Sequence, residues 1–374
     1  MDRFARRTGL TGGAQRRYLW TDAFAICNFL ALARATGEAE WLGLARRLVH
    51  DVHHVLGRHR PDDVRTGWIS GLSEDEGERH PTAGGLRIGK KLPERAPDAT
   101  YDDRLEWDRD GQYFHYLTKW MQALDQMARA TGEADFARQA HELARRAHDA
   151  FAWRPRDGAR NRLYWKCSID LSRPLVPSMG QHDALDGFVT CVQLDASACV
   201  AADLGDVARD FATMLPGVSL ATGDPLGIGG VLADAWRVHQ LARAGALADD
   251  ARLVEILLAS AAAGLEAYAG ERAEDAPAAR RLAFRELGLA IGLAAVTRLR
   301  ADPATHREAL TPWLTRLASF ADLGERIVRF WSEPAHRTND TWREHEDIDD
   351  VMLATALLPG GFLDLAPPHT AANA

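Results

Sequence analysis

Six short stretches of the sequence hold an unusual mixture of carboxylates, imidazoles and large aromatic rings. They are YLWTDAFA (18–25), LEWDRDGQYFHY (105–116), SMGQHDALDG (178–187), TGDPLGIGG (222–230), AFRELG (283–288) and TWREHEDIDD (341–350). Brought together, Trp20, Asp22, Trp107, Asp108, Asp110, Tyr113, His115, Gln181, His182, Asp183, Arg285, Trp342, His345 and Glu346 would line one cleft. Carboxylates and amides bond hydroxyl groups, while an indole covers the apolar C–H face of a pyranose ring. The mixture points to a small carbohydrate. Any single Asp in this set is also a good helix N-cap, so the expectation rests on the set rather than on one member.

Positioning such residues needs a frame, and the sequence repeats one. LARATGEAEWLGLARRLVHDVHH (32–54) and MARATGEADFARQAHELARRAHD (127–149) are two versions of one pattern. In each, an Ala-rich apolar helix runs into ATGE, where Gly can take the left-handed conformation that ends a helix and Thr and Glu favour starting the next. Apolar residues then return at helical spacing, as Trp41, Leu44, Ala45 and Leu48 in one copy and Phe136, Ala140 and Leu143 in the other. Each copy is therefore a helical hairpin.

Four further stretches, beginning at Gly180, Asp224, Arg280 and His345, carry the same pattern with different turns. In each the first helix is apolar on nearly every side and the second has a charged face, as expected of inner and outer helices. The predicted fold class is all-α, an (α/α)6 toroid of six helical hairpins spanning 1–374 as one domain. An open solenoid would use the same pattern, but its links are usually short and constant, whereas here residues 58–109 form one long loop between hairpins one and two. Links within hairpins are short and those between them long, so one end of the frame is plain. The six decorated stretches all lie at the other, where inner helices begin and unpaired amides favour oxygen-rich ligands.

The bulk properties fit a small-molecule protein. A net charge of −8 with both signs interspersed leaves no basic stripe for nucleic acid. No apolar run approaches the roughly 20 residues a bilayer requires, and the basic start lacks the apolar core of a secretory signal, so the expected location is cytoplasmic with no membrane partner. Cys27, Cys167, Cys191 and Cys199 have no zinc or disulfide spacing and read as buried thiols. His53 and His148 fall at equivalent places on outer helices and read as structural.

Two sharper motifs fail. GGLRIGKK (84–91) nearly spells a phosphate loop, but Lys91 stands where a magnesium-binding hydroxyl is needed and no strand precedes it. It reads instead as a basic lid whose Arg87, Lys90 and Lys91 could meet a carboxylate or phosphate. HEDIDD and QHDALD place His near Asp, but acidic helix starts are common without metal and there is no HExxH pattern, so neither metal nor cofactor is expected.

The duplicated ARATGE turns, the segment EWDRDGQYFHYLTKWMQAL (106–124) and the aromatic and acidic starts of the inner helices together resemble the six-hairpin glycosidase superfamily, with its related N-acylglucosamine 2-epimerase fold. The likeness is architectural and covers the whole chain. It implies a carbohydrate-active enzyme, first a glycoside hydrolase working through two carboxylic residues. Asp110 and Asp183 are the leading pair, with Asp108 and Glu346 in reserve, because each lies at an inner-helix start among groups that could shift its pKa. The epimerase branch instead implies histidine acid–base chemistry, open to His115, His182 and His345. Arg87, Lys90, Arg109 and Arg285 suggest an anionic or phosphorylated sugar. A noncatalytic binding scaffold and a helical cyclase are the remaining alternatives, and the His, Arg, Gln and Asp mixture favours a polar ligand over both.

Overall fold

A computed structural model describes residues 1–156, 158, 160–197, 203–248 and 251–365; Cys199 lies outside the described residues. The chain, expected from its sequence as one domain, groups its contacts into two compact units, Asp2–Gly217 and Val218–Leu365.

In the first unit the duplicated sentence is written as duplicated structure. Helix Leu19–Thr36 ends at Gly37 (φ 74°, ψ 5°) and helix Phe114–Thr131 at Gly132 (φ 74°, ψ 4°), both in the left-handed region that costs a residue with Cβ. Each Gly donates its N–H four residues back, to the Ala33 and Ala128 carbonyls. The threonine before each Gly turns its hydroxyl to the carbonyl four residues back and accepts from the N–H of Glu38 or Glu133, at 3.2 Å in both copies. Helices Ala39–Leu56 and Ala134–Phe151 then run back along their partners, and a third pair, Asp183–Asp195 with Gly205–Met214, follows. The first helices of the three hairpins pack on one another in sequence, and each also packs on its own second helix. Inner positions such as Phe29, Trp120, Leu124 and Leu194 are fully enclosed, but helix Phe114–Thr131 departs from the all-round apolar pattern expected of it, burying Gln122, Gln126 and an Asp125–Arg129 pair at 2.7 Å.

Long loops between hairpins carry the short β segments that the sequence left room for. Gln112–Tyr113 pairs antiparallel with Lys166–Cys167, which pairs in turn with Pro174–Val176. This three-stranded patch ties the start of helix Phe114–Thr131 to the loop that follows the second hairpin. Residues 58–109 contain two one-and-a-half-turn helices, Glu74–Arg79 and Asp103–Asp108, capped by Ser73 and Asp102.

The second unit uses the same device with different dimensions. Helix Pro225–Arg243 pairs with Ala251–Gly270, helix Ala283–Ala301 with an outer arm split into Thr311–Ala318 and Ala321–Ser332, and Glu346–Leu357 packs on Ala283–Ala301 ahead of the one-turn Gly360–Leu363. Helix Ala251–Gly270 corrects one sequence expectation: by length and composition it is apolar enough to cross a bilayer. Its Val254, Leu257, Leu258, Ala261 and Leu265 are buried at helical spacing, with Pro225–Arg243 and Thr311–Ala318 as its packing partners.

The tightest joint in this unit is a glycine crossing. A Cβ on Gly229 would meet the Gly288 carbonyl oxygen at 2.1 Å, and one on Gly292 would meet the Gly229 Cα at 2.5 Å. Neither neighbour is a movable side-chain end, so the two helices must separate. Gly229→Ala and Gly292→Ala are each expected to cost about 1–3 kcal/mol of stability through overpacking, read as a lower urea midpoint. By contrast Gly230→Ala, with open space at its Cβ, should leave the midpoint unchanged or raise it.

Candidate functional site

The starts of the inner helices in the first unit converge on an aromatic cluster. Helix Phe114–Thr131 begins beside the β patch, so Tyr113, His115 and Tyr116 project together from its first turn. The Tyr113 ring stacks on His115 at 5.3 Å and meets Tyr116 edge-on at 5.1 Å. Trp165, carried in by the strand that pairs with Tyr113, lies 4.8 Å from the Tyr113 ring and stacks over His115 at 6.1 Å. Trp107 extends the surface by meeting Trp165 edge-on at 5.1 Å, and remains 49% exposed. Tyr18, preceding the first inner helix, hydrogen-bonds the Tyr116 hydroxyl at 2.8 Å.

Asp183 faces this cluster from the third inner helix. Its Oδ1 lies 3.8 Å from His115 Nδ1, and its Oδ2 accepts the Gly180 N–H at 3.0 Å. A Cβ at Gly180 would sit 2.4 Å from the Asp183 carboxylate, so a larger residue there would push that side chain from its place. One turn further on, Asp186 pairs with Lys119 at 2.9 Å, so the two helices face each other through two acid–base pairs. His115 Nδ1 and the Tyr113 hydroxyl are buried without a hydrogen-bond partner.

Enclosure sets the proton affinities. Burial, reinforced by the Asp186 charge and opposed by the Gly180 N–H and Lys119, pushes Asp183 up to about 7. Burial pulls His115 below the usual imidazole range, Asp186 working against that and Lys119 with it. At neutral pH the pair therefore holds a carboxyl poised between its two forms next to an uncharged imidazole, and 27% of the His115 side chain still reaches solvent. Such a pair can give and take protons near pH 7. Tyr18 is pushed up to about 12 by burial and stays a hydroxyl.

The other sequence candidates divide sharply. Asp110 is fully buried and its lone pairs are spent. Its Oδ2 receives Arg87 Nη1 at 2.8 Å and Arg60 Nη1 at 3.3 Å, while Oδ1 receives the N–H groups of Gly89, Lys90 and Gly111. That is the environment of an anchoring carboxylate, unlike the reactive one expected of it, and it occupies the Arg87 guanidinium as well. Asp22 is buried against Arg17 and accepts the Tyr18 N–H, which makes it a capping group. Trp20 packs on Phe24 in the core. Asp108 is exposed at the end of its short helix, Lys90 is half-buried beside Tyr18, Gln181 is exposed, and His182 is the half-buried residue before Asp183.

In the second unit Arg285 pairs with Asp224 at 2.7 Å, Trp342 is buried against Trp331, and His345 lies on Phe284 with Nδ1 on the Thr341 carbonyl. Glu346 opens its helix half-buried. Asp349, on the same helix, caps the Phe284 N–H at 2.9 Å, and burial pushes it up to about 8. Among the described residues no three His, Cys, Asp or Glu side chains group as metal ligands.

Sequence reading missed Trp165, Tyr18, Tyr116, Lys119 and Asp186. The last two had a usable signal, since Lys119 is four residues after His115 and Asp186 three after Asp183, hence on the same helix faces. Trp165 had none, because only the strand pairing returns its loop to the site.

No family profile and no curated protein matches the chain. Solved structures do. The GH76 α-mannanase of Bacteroides thetaiotaomicron is 10% identical with a TM-score of 0.53, over 93% of this chain and 88% of that one. A cellobiose 2-epimerase from Spirochaeta thermophila (12%, TM-score 0.49) and a sugar epimerase from a ruminal bacterium (9%, TM-score 0.49) each cover 91% of this chain and 87% of theirs. The fold is the (α/α)6 toroid, as its repeats predicted.

Two outcomes follow from the site. Asp110→Ala leaves the buried Arg87 guanidinium without its carboxylate, although Arg60 keeps Asp62, and should cost about 3–5 kcal/mol in urea unfolding, far more than a surface Asp. Asp183 has a folded pKa above its unfolded one, so the native state binds the extra proton between roughly pH 4 and pH 7. Its contribution is present below that window and lost as pH rises through it. The stability of Asp183→Asn relative to the parent should therefore rise from pH 4 to pH 8; a constant difference would refute the assignment.

Proposed function

We propose that this protein is an enzyme acting on a small carbohydrate, with His115 and Asp183 as its acid–base pair. The observation that carries the reading is the 3.8 Å approach of Asp183 to His115 against the rings of Tyr113 and Trp165. Flat aromatic faces suit the C–H face of a sugar, and Tyr18, Tyr116 and Trp107 add hydroxyl and indole groups at the same place. The fold shared with an α-mannanase supports the substrate class.

Within that class we favour proton transfer at a sugar carbon, as in epimerisation or isomerisation. Two-carboxylate hydrolysis through Asp110 and Asp183 would need Asp110 oxygens free to meet a substrate or a water, and its five donors occupy both oxygens in a fully buried position. An uncharged imidazole beside a carboxyl poised near neutrality can remove a proton next to a carbonyl and return one. Hydrolysis keeps one specific support: Asp186, one turn from Asp183 and paired with Lys119, supplies a second carboxylate.

The test is a panel of reducing mono- and disaccharides incubated in D2O alongside aryl glycosides. Proton transfer predicts deuterium at one sugar carbon with no new reducing ends. Hydrolysis predicts the reverse. In either reaction His115→Asn and Asp183→Asn should each lower kcat by about 10²–10⁴. Wild-type turnover in both variants would reject the pair.

A further inference from the structure

We propose that the ligand of this site is a sugar bearing an anionic group, and that Lys90 is the residue that reads it; the proposal rests on the carbohydrate reading above. Four basic residues could in principle serve. Arg87 is spent on Asp110 and on the carbonyls of Arg58 and Val55, and Arg285 on Asp224. Arg109 makes only a long bond, 3.5 Å, to the Glu94 carbonyl, with its backbone built into the bridge to Leu92. Lys90 is different. Its ammonium is half-buried, has no carboxylate within 4 Å among the described residues, and stands 5.7 Å from the centre of the Tyr18 ring, whose hydroxyl bonds Tyr116.

Lys91, next along, is exposed to solvent, whereas the more enclosed cations around Lys90, namely Arg60, Arg65 and Arg95 of the same loop and Lys166 of the β patch, all hold carboxylates. Lys166 is fully enclosed, with Glu106 at 2.9 Å and two carbonyls completing its ammonium. Lys90 has been drawn partly out of water, and burial lowers its proton affinity; the charges of Asp108 and Asp110 oppose that through space, but neither carboxylate comes within 4 Å of its ammonium. Its main chain, meanwhile, is clamped on both sides: the N–H donates to Asp110 Oδ1 at 3.3 Å, and the carbonyl accepts from Arg60 Nη1 at 2.6 Å. The buried Asp110 knot thus fixes the root of a side chain whose charged end lies over the aromatic cluster. A carboxylate or phosphate on the ligand would supply the missing counter-charge through a charge-assisted hydrogen bond.

Calorimetric titration of the full chain with matched sugars tests this: glucose, glucuronate and glucose 6-phosphate, with the corresponding mannose set. One charged member is expected to bind at least about tenfold tighter than its neutral counterpart, with the gap shrinking as salt rises. Whether the uronate or the phosphate wins identifies the anion. Lys90→Met should bring the charged-to-neutral ratio toward one, and Lys90→Arg should keep most of it. Equal affinity for charged and neutral sugars, or an undiminished ratio in a folded Lys90→Met, overturns the anion proposal alone. Failure of every sugar to bind overturns the carbohydrate reading, and this proposal with it.

Discussion

Everything at the decorated end of the first unit depends on one buried carboxylate. Asp110 sits where the 58–109 loop meets the start of helix Phe114–Thr131, and it gathers five donors from both sides of that junction. A buried charge is costly unless its lone pairs are filled, and filling them from Arg60, Arg87, the loop amides of Gly89 and Lys90, and the adjacent Gly111 amide converts the cost into a constraint on loop geometry. Gly111, at φ 148° and with the Cys167 carbonyl 2.7 Å from where a Cβ would be, lets the chain turn from that knot directly into the β patch. Gln112 continues the fastening: it accepts from Leu86 N–H and donates to the Gly84 and Ile169 carbonyls, joining three loops at one side chain. The next residues along are Tyr113 and His115. Loop anchoring and site placement are thus consecutive events in one stretch of chain.

The same economy governs the protons. His115 and Asp183 are both disfavoured as ions by enclosure, but the consequences have opposite sign. The imidazole is driven toward losing its proton, the carboxyl toward keeping one. Native stability from His115 is therefore lost as pH falls below the usual imidazole range, whereas that from Asp183 is lost as pH rises toward 7. Between them lies a window in which the neutral pair is the form that folding favours. Lys119 and Asp186, one turn deeper, pair at 2.9 Å and bear on both affinities.

The frame was legible in the sequence because its determinants are local. ATGE specifies a left-handed Gly, a hydroxyl cap and a reversal within four residues, and both copies adopt the same angles. Apolar periodicity likewise identifies inner helices whose burial is nearly complete. Site residues were legible only in part. Tyr113, His115 and Asp183 stand at helix starts, where a reader would look, and the structure brings them together. Asp110 stands at the same kind of position yet belongs to the scaffold, since its partners Arg60 and Arg87 lie 50 and 23 residues upstream in an irregular loop. No period or motif encodes that meeting. Trp165 illustrates the converse: it is far from any helix start, and only the register Tyr113↔Lys166 returns its neighbour to the site.

The contrast between the two ends of the hairpins has a physical basis. At the ATGE turns the polar groups named above find partners within a few residues, so those turns are self-sufficient and can be repeated. At the inner-helix starts the first amides have no intrahelical acceptor, and side-chain carboxylates satisfy them, from 65 residues away in the case of Asp349 for Phe284 and from one turn on in the case of Asp22 for Tyr18. Where such a partner is missing, polar atoms stay unsatisfied, as at His115 Nδ1 and the Tyr113 hydroxyl. A frame held by glycine crossings and self-contained turns can tolerate that local cost. The plain end and the polar rim are two sides of one arrangement: reversals that satisfy themselves at one end, and at the other, helix starts such as those bearing His115 and Asp183, fastened by side-chain carboxylates.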